Sequence, residues 1–487
     1  MVTQRESRKP FSTNEEAWAA ASEWGRQERM NEIESLMWRS ERHPRLSSTI
    51  TSVLVFDSVP DWDRFFAAHE WATELIPRTR QRVLEPALPV GPPAWIPDEN
   101  FQLDYHVQRA HLPGPAGMSE LLELAQSIAL QPFDRTRPLW QGTLVEGLDG
   151  GRAAYVLKLH HSLTDGMGGI QLMTLVQSRT REHTPDKPRA VDPLPYKENP
   201  DASGLAMMEL TEQARRLPSV VGRALTAGAR AVTRPGDVLS EVVRFGASLR
   251  RTLSPPPAPP SPLLRERSGT AWRFGVLECG LDSLKAAAKV AGGSLNDAYV
   301  AALLGGLRLY HERLDAPVDE LPMAMPVSLR KADDPMGGNK FAGAFFAAPV
   351  GIADPAERIA TIRGTVLSLR IEPALDTFSM VAPVLNRIPS AIGGLVYERV
   401  GGVADLSASN VPGVPYPVYM AGAKVERMFP FGPLPGVAVM AAMVSHAGTC
   451  CIGINCDGDA VADPAMLIDC LRDGLNEVLS LAEEDRA

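Results

Sequence analysis

Leu159-His160-His161-Ser162-Leu163-Thr164-Asp165-Gly166 is the stretch on which the reading of this 487-residue chain turns. Ahead of it, Ala153 to Leu159 carries Tyr155, Val156 and Leu157 in a run that reads as a strand. Behind it, Ile170 to Thr180 reads as a helix, with Ile170, Met173, Leu175 and Val176 as its apolar side. The histidines therefore fall where a strand gives way to a turn, a position that presents side chains to a cleft. Gly166, Gly168 and Gly169 suit such a turn, because glycine tolerates positive φ. Successive strand residues point to opposite faces, so His160 and His161 are poorly placed to share one metal ion. A histidine held at a cleft titrates near neutrality and can take a proton from a hydroxyl.

This spacing resembles the HHxxxDG signature of acyl-CoA-dependent acyltransferases with the chloramphenicol-acetyltransferase-like fold. The resemblance implies that His161 is the general base; His160, which strand alternation points to the other face, reads as structural. It implies that Asp165 faces away from the substrate and holds the loop through an ion pair. The fold it implies is α/β: two chloramphenicol-acetyltransferase-like subdomains, each a mixed β-sheet packed with helices, with an active-site tunnel between them.

Composition sets the bounds. A chain of 487 residues with 45% hydrophobic and 22% charged residues describes a globular protein of two or three units with a large core. The net charge of -9, with no basic run interleaved with aromatics, excludes a nucleic-acid binder. Five cysteines make no disulfide framework, and Cys450, Cys451, Cys456 and Cys470 lack zinc spacing. They read as small buried apolar residues in a reducing cytoplasm. Residues 1–30 carry no apolar secretory core, and Thr13-Asn14-Glu15-Glu16 reads as a capping box opening a helix towards Arg29. Between Arg427 and Asp457 no charged residue intervenes, but prolines and Ser445-His446-Ala447-Gly448 divide the stretch. It reads as a buried hairpin, Val437 to Val444 and Thr449 to Asn455, rather than a membrane span.

Strand-like and helix-like patterns alternate twice along the chain, which suggests α/β layers in two comparable halves. The first contains Thr49 to Phe56, Trp62 to Leu75, Ser119 to Leu130 and the histidine strand. The second contains Trp272 to Cys279, Ser283 to Ala291, Asn296 to Leu309 and Pro322 to Leu329. The expected division is a helical extension over 1–30, subdomains over 31–200 and 268–487, and a linker over 201–267. Within that linker, residues 204–251 hold eight arginines and four acidic residues, with Arg216, Arg223, Arg230 and Arg234 on one helical face. Such a face could lie in a lipid interface, or simply be solvated. A stiff Pro-rich run, Pro255 to Pro262, closes the linker.

Further segments narrow the resemblance to the bacterial wax ester synthase/diacylglycerol acyltransferases. Pro138-Leu139-Trp140 looks like that family's PLW motif and reads locally as a turn feeding a strand, with Trp140 in the core. Ser294-Leu295-Asn296-Asp297 looks like its ND motif, in which Ser294 caps a helix and Asp297 completes the cap. Met325 to Arg330, Gly337 to Gly343 and Asn410-Val411-Pro412-Gly413 look like further shared blocks. Glu41 stands where the family has an acidic residue near the acceptor site. The resemblance implies an O-acyltransferase that uses acyl-CoA as co-substrate, without a permanently bound cofactor, and acylates diacylglycerol or a fatty alcohol. Asn296 or a backbone N–H near Gly166 would hold the oxyanion, and Arg330 would pair with Asp165. Glu41 and Asn410 are the candidate substrate-side residues. The expected setting is cytoplasmic, with contact to the inner membrane face or lipid inclusions. No GxxxxGKS/T loop and no GxSxG elbow occurs, so neither nucleotide hydrolysis nor a serine hydrolase is supported. A carrier-dependent condensation enzyme and a non-catalytic lipid-surface protein are the competing readings; no carrier module is seen before Ala487.

Overall fold

The computed structural model describes residues 13–88, 90–184, 187, 200–212, 214–215, 258–330, 334–371, 382, 386 and 404–484. The arginine face of Arg216, Arg223, Arg230 and Arg234 and the start of the Pro-rich run lie outside the described residues. In the first half come helices α1 (Asn14–Ala21) and α2 (Glu32–Ser40), strand β1 (Thr49–Phe56) and α3 (Trp62–Leu75). Next come strands β2 (Gln81–Leu84) and β3 (Ala94–Pro97), the short α4 (Leu103–His106), β4 (Val107–Ala116) and α5 (Met118–Leu130). The half closes with β5 (Trp140–Leu148), β6 (Ala153–His160) and α6 (Gly166–Val176). The second half runs β7 (Trp272–Gly280), α7 (Leu281–Val290), α8 (Leu295–Arg313), β8 (Glu320–Ser328), β9 (Phe341–Pro349) and α9 (Pro355–Ile371). It ends with β10 (Leu406–Val411), β11 (Tyr419–Met420), β12 (Ala423–Phe431), β13 (Val439–His446), β14 (Thr449–Asp457) and α10 (Pro464–Glu484).

These strands build two six-stranded mixed sheets, ordered β11-β12-β1-β6-β5-β4 and β7-β14-β13-β10-β8-β9. The first sheet therefore contains two strands from the second half: β12 pairs antiparallel with β1 from Thr51↔Phe431 to Phe56↔Val425. Alternation along β6 divides the first core. Tyr155 and Leu159 pack with Leu54, Phe65 and Leu175 on the α3 and α6 side, whereas Ala154 and Val156 pack with Leu121 and Ala125 of α5. The second core surrounds α8, whose Ala298, Ala301 and Leu304 meet Ile452 and Ile454 of β14 and Leu467 and Leu471 of α10. The charge-free stretch ends in the hairpin β13–β14, in register from Val439↔Cys456 to His446↔Thr449. Cys450, Cys451, Cys456 and Cys470 are buried in this half, while Cys279 is half-buried. Among the described residues no helix is long and apolar enough to cross a membrane.

Three local readings are corrected. The N-terminal helix stops at Ala21 instead of running towards Arg29, and Gly25 turns the chain at φ +68. Thr13 Oγ1 caps it by accepting from the Glu16 N–H at 3.2 Å. The helix after the histidines starts at Gly166, not Ile170, because Asp165 caps it, its Oδ1 accepting from the Gly168 N–H at 2.8 Å. It stops at Val176 because Ser178 bridges to Tyr419 in extended conformation. None of the motif glycines has a positive φ; Gly166 and Gly168 supply room instead, while a Cβ on Gly169 would meet nothing within 4 Å. A Cβ on Gly168 would lie 2.1 Å from Thr164 Oγ1, and one on Gly166 2.7 Å from Val411 Cγ2.

Candidate active site

His161 is the first residue past β6, half-buried, where the two halves meet. Its backbone N–H donates to Ser48 O at 2.7 Å, which fixes the chain as it leaves the sheet. The ring is held from the second half: His161 Nδ1 and Asn339 Oδ1 are 2.9 Å apart, and Asn339 Nδ2 donates to the His161 carbonyl at 2.7 Å. Only an amide N–H can donate to that carbonyl, so Asn339 Oδ1 must face Nδ1, which must then carry the proton. Nε2 is left with its lone pair. Burial pushes the His161 pKa below the ordinary histidine value, against the upward pull of the Asp165 carboxylate, and so favours the neutral imidazole. Phe341 stands tilted against the ring with centroids 5.6 Å apart.

Asn339 is itself anchored. Its backbone N–H donates to Glu34 Oε1 at 2.8 Å, and its carbonyl accepts from Asn31 Nδ2 at 3.0 Å. Glu34 also closes the capping box of α2 with Asn31. Burial pushes the Glu34 carboxyl up, although N–H donors from Asn31 and Asn339 and the nearby Arg78 oppose it.

Asp165 turns away from His161 into the loop behind it. Arg330 Nη2 lies 2.8 Å from Asp165 Oδ2, both side chains being 9% exposed. The Lys340 N–H donates to the same oxygen at 3.1 Å. Arg330 also donates to the carbonyls of Pro335, Gly337 and Gly338 at 2.9–3.0 Å. One guanidinium thus ties Asp165 to the turn that delivers Asn339.

His160 diverges from His161 as strand geometry requires and is fully buried. Its Nδ1 accepts from the Ser162 N–H at 3.1 Å and meets Ser162 Oγ at 2.6 Å, so the proton sits on Nε2, 2.7 Å from Glu41 Oε2. Burial alone would raise the Glu41 carboxyl; His160, the Ser48 N–H and Arg135 override it and hold the pKa at about 2. Glu41 is therefore the half-buried partner of His160. The Pro138-Leu139-Trp140 turn supports the same point, since the His160 N–H donates to Leu139 O at 3.0 Å. Trp140 is buried, donates Nε1 to Thr79 O at 2.7 Å and stacks on His106 at 4.8 Å.

The remaining motif residues make contacts of their own. Asn296, at the start of α8, reaches Met325 Sδ at 3.7 Å. Asp297 completes the cap with Ser294, its Oδ2 accepting from the Ser294 N–H at 2.8 Å. Asn410 lies in β10 opposite Met443, and its neighbour Val411 touches Gly166. Behind β6, Leu54, Tyr155, Leu159, Leu163, Met173 and Met420 help line an apolar cavity of about 80 Å³. At its wall His69 Nε2 and Tyr155 Oη are 2.8 Å apart, and burial holds the His69 pKa down to about 4.

The sequence alone assigns no role to Asn339, Glu34 or Trp24. Asn339 falls within the Gly337 to Gly343 block, but nothing local signals a partner 178 residues away.

Residues 30–299 match the wax ester synthase/diacylglycerol acyltransferase catalytic domain, and residues 337–478 match the C-terminal domain of the same family. A Mycobacterium tuberculosis (strain CDC 1551 / Oshkosh) protein named diacylglycerol O-acyltransferase is 41% identical over 459 residues, 92% of this chain and 91% of that protein. In fold, the wax ester synthase/diacylglycerol acyltransferase from Marinobacter aquaeolei VT8 superposes with a TM-score of 0.63 at 21% identity, covering 93% of this chain and 100% of that one. The first condensation domain of the calcium-dependent antibiotic synthetase superposes at 0.57 with 16% identity, covering 93% and 95%. Matched in both domains along most of its length, the chain belongs to the wax ester synthase/diacylglycerol acyltransferase family.

Proposed function

We propose that this protein is an acyl-CoA-dependent O-acyltransferase that passes a long acyl chain to diacylglycerol, giving triacylglycerol, or to a fatty alcohol, giving a wax ester. The observation that carries the reading is the Asn339–His161 contact at 2.9 Å, which leaves the Nε2 lone pair free to act as a base. His161 Nε2 takes the acceptor's hydroxyl proton while the oxygen attacks the thioester carbonyl. The tetrahedral intermediate collapses by breaking the C–S bond, and the imidazolium returns its proton to the departing CoA thiolate. No acyl-enzyme is needed, because both substrates meet at one site and react by proximity. Asn296 or a backbone N–H near Gly166, at the α6 N-terminus, is the proposed oxyanion donor. Asp165 and Arg330 hold the loop and touch no substrate. The cavity behind β6 is apolar, as an alkyl tail requires, and at about 80 Å³ it takes only part of one. An acceptor this insoluble is met at a membrane face or lipid inclusion, so peripheral lipid contact belongs to the proposal.

The test incubates the purified protein with labelled acyl-CoA and a panel of diacylglycerols and fatty alcohols. Labelled ester that disappears in His161→Ala supports the reading. A blank across every hydroxyl acceptor, or full activity in His161→Ala, sinks it.

A further inference from the structure

Residues 13–29 precede the stretch matched to the family's catalytic domain, which begins at residue 30. They are nevertheless built into the site. Ala17, Trp18, Ala21 and Trp24 are buried in the same core as Leu159, Leu163 and Ile170. Trp24 is 1% exposed and donates its indole N–H to Gly168 O at 2.9 Å. Gly168 is the residue whose own N–H caps onto Asp165.

The next residue turns to the other half of the molecule. The Gly25 N–H donates to Met336 O at 3.0 Å, just ahead of the glycine pair that leads to Asn339. A Cβ on Gly337 would lie 3.1 Å from the Trp24 ring. The Gly25 and Gln27 carbonyls accept from the buried Arg78, which faces Glu34, and Glu34 carries the Asn339 N–H. Each contact touches a group that positions His161 or its loop. His161 and Asn339 come from different halves, and this segment is bonded to the flanks of both.

We propose that residues 13–29 are a working part of this enzyme's active site, with Trp24 a positioning residue that keeps the His161–Asn339 hydrogen bond closed across the two halves. The inference rests on His161 being the base. Loosening the segment lets the α6 N-terminus and the 336–339 turn move apart and admits water to His161. Because burial is what holds the His161 pKa down, that pKa then rises towards its ordinary value.

The experiment compares the full-length protein with Trp24→Phe, which keeps an aromatic ring and loses the donor, and with Trp24→Ala. Melting temperature, kcat, KM for acyl-CoA, the pH dependence of kcat/KM and the NMR titration of the His161 imidazole are measured on each. Loss of one buried hydrogen bond predicts a fall in kcat of about 5-fold for Trp24→Phe, with KM unchanged. Trp24→Ala falls further, and in both variants the acid limb and the imidazole titration move up in pH. Folded variants with wild-type kcat and an unmoved titration overturn the proposal. So does a loss in Trp24→Ala that merely tracks its folded fraction while Trp24→Phe behaves as wild type. His161→Ala, run alongside, separates the two levels: if it stays active, the base assignment fails; if it is dead, the Trp24 results judge the positioning role alone.

Discussion

Asn339 holds His161 by two bonds at once, Oδ1 to the ring Nδ1 at 2.9 Å and Nδ2 to the backbone carbonyl at 2.7 Å. The pair settles the tautomer and the ring direction together, and does so without a carboxylate. The imidazole is thus held with Nε2 free, the orientation that the proposed base needs, and Asp165 is tied into the loop through Arg330 and the α6 cap.

Removing that brace on the ring has a calculable cost. Asn339→Ala leaves His161 free to rotate and to change tautomer, so kcat falls by about 10- to 100-fold with little change in KM, as expected for lost orientation of a general base. Asn339→Asp puts an anion beside Nδ1, stabilises the imidazolium and moves the acid limb of kcat/KM upward. Steady-state kinetics across pH on the folded variants check both.

The pH profile of the wild type has a defined sense. Burial holds the His161 pKa below the ordinary histidine value of about 6.5, so the base stays deprotonated into mildly acidic solution. The acid limb of kcat/KM therefore has its midpoint below about pH 6.5. A midpoint above that value contradicts the burial argument.

Asp165 and Arg330 act on stability. Breaking a buried pair by removing one partner typically costs about 3–5 kcal/mol, and that is the expected loss for Arg330→Ala or Asp165→Ala. The double variant should lose less than the sum, with a coupling above about 1 kcal/mol in a denaturant-melt cycle. Charge reversal is not expected to rescue, since Asp165 also accepts from the Gly168 and Lys340 backbones.

Glu41 makes a second pH-linked contribution. Its folded pKa of about 2 lies below the usual value for a free carboxylate, about 4.3, so its stabilisation is fully present above the latter and is lost as pH falls through the former. The stability gap between wild type and Glu41→Gln, measured by urea melts, should be full at neutral pH and narrow below about pH 4.3. A gap constant with pH would show that Glu41 is neutral in the folded protein.

The sequence made some of this legible for physical reasons. The strand Thr49–Phe56 announces itself by its β-branched and aromatic run, buried on both faces from Val53 to Phe56, and the helix Trp62–Leu75 by a buried face, Phe65, His69 and Thr73, that repeats every four residues. Divergence of His160 from His161 comes from strand alternation alone. Asn339 was not legible as a partner, because its role depends on two chain segments that meet only once both sheets have formed. The entry of β12 into the first sheet was hidden for the same reason: a strand's pattern states which face is buried, not which neighbour it chooses. The motif glycines read as a turn because glycine is equally the residue of positive φ and of tight contact. Only the 2.1 Å gap to Thr164 Oγ1 decides between the two at Gly168.

The most direct measurement is the initial rate of labelled acyl transfer from acyl-CoA to diacylglycerol and to a fatty alcohol, for wild type and for folded His161→Ala. Loss of a general base predicts a fall of about 10²- to 10⁴-fold in the variant, with its melting temperature little changed. A folded His161→Ala that transfers acyl groups at the wild-type rate would contradict the assignment of His161 as the base.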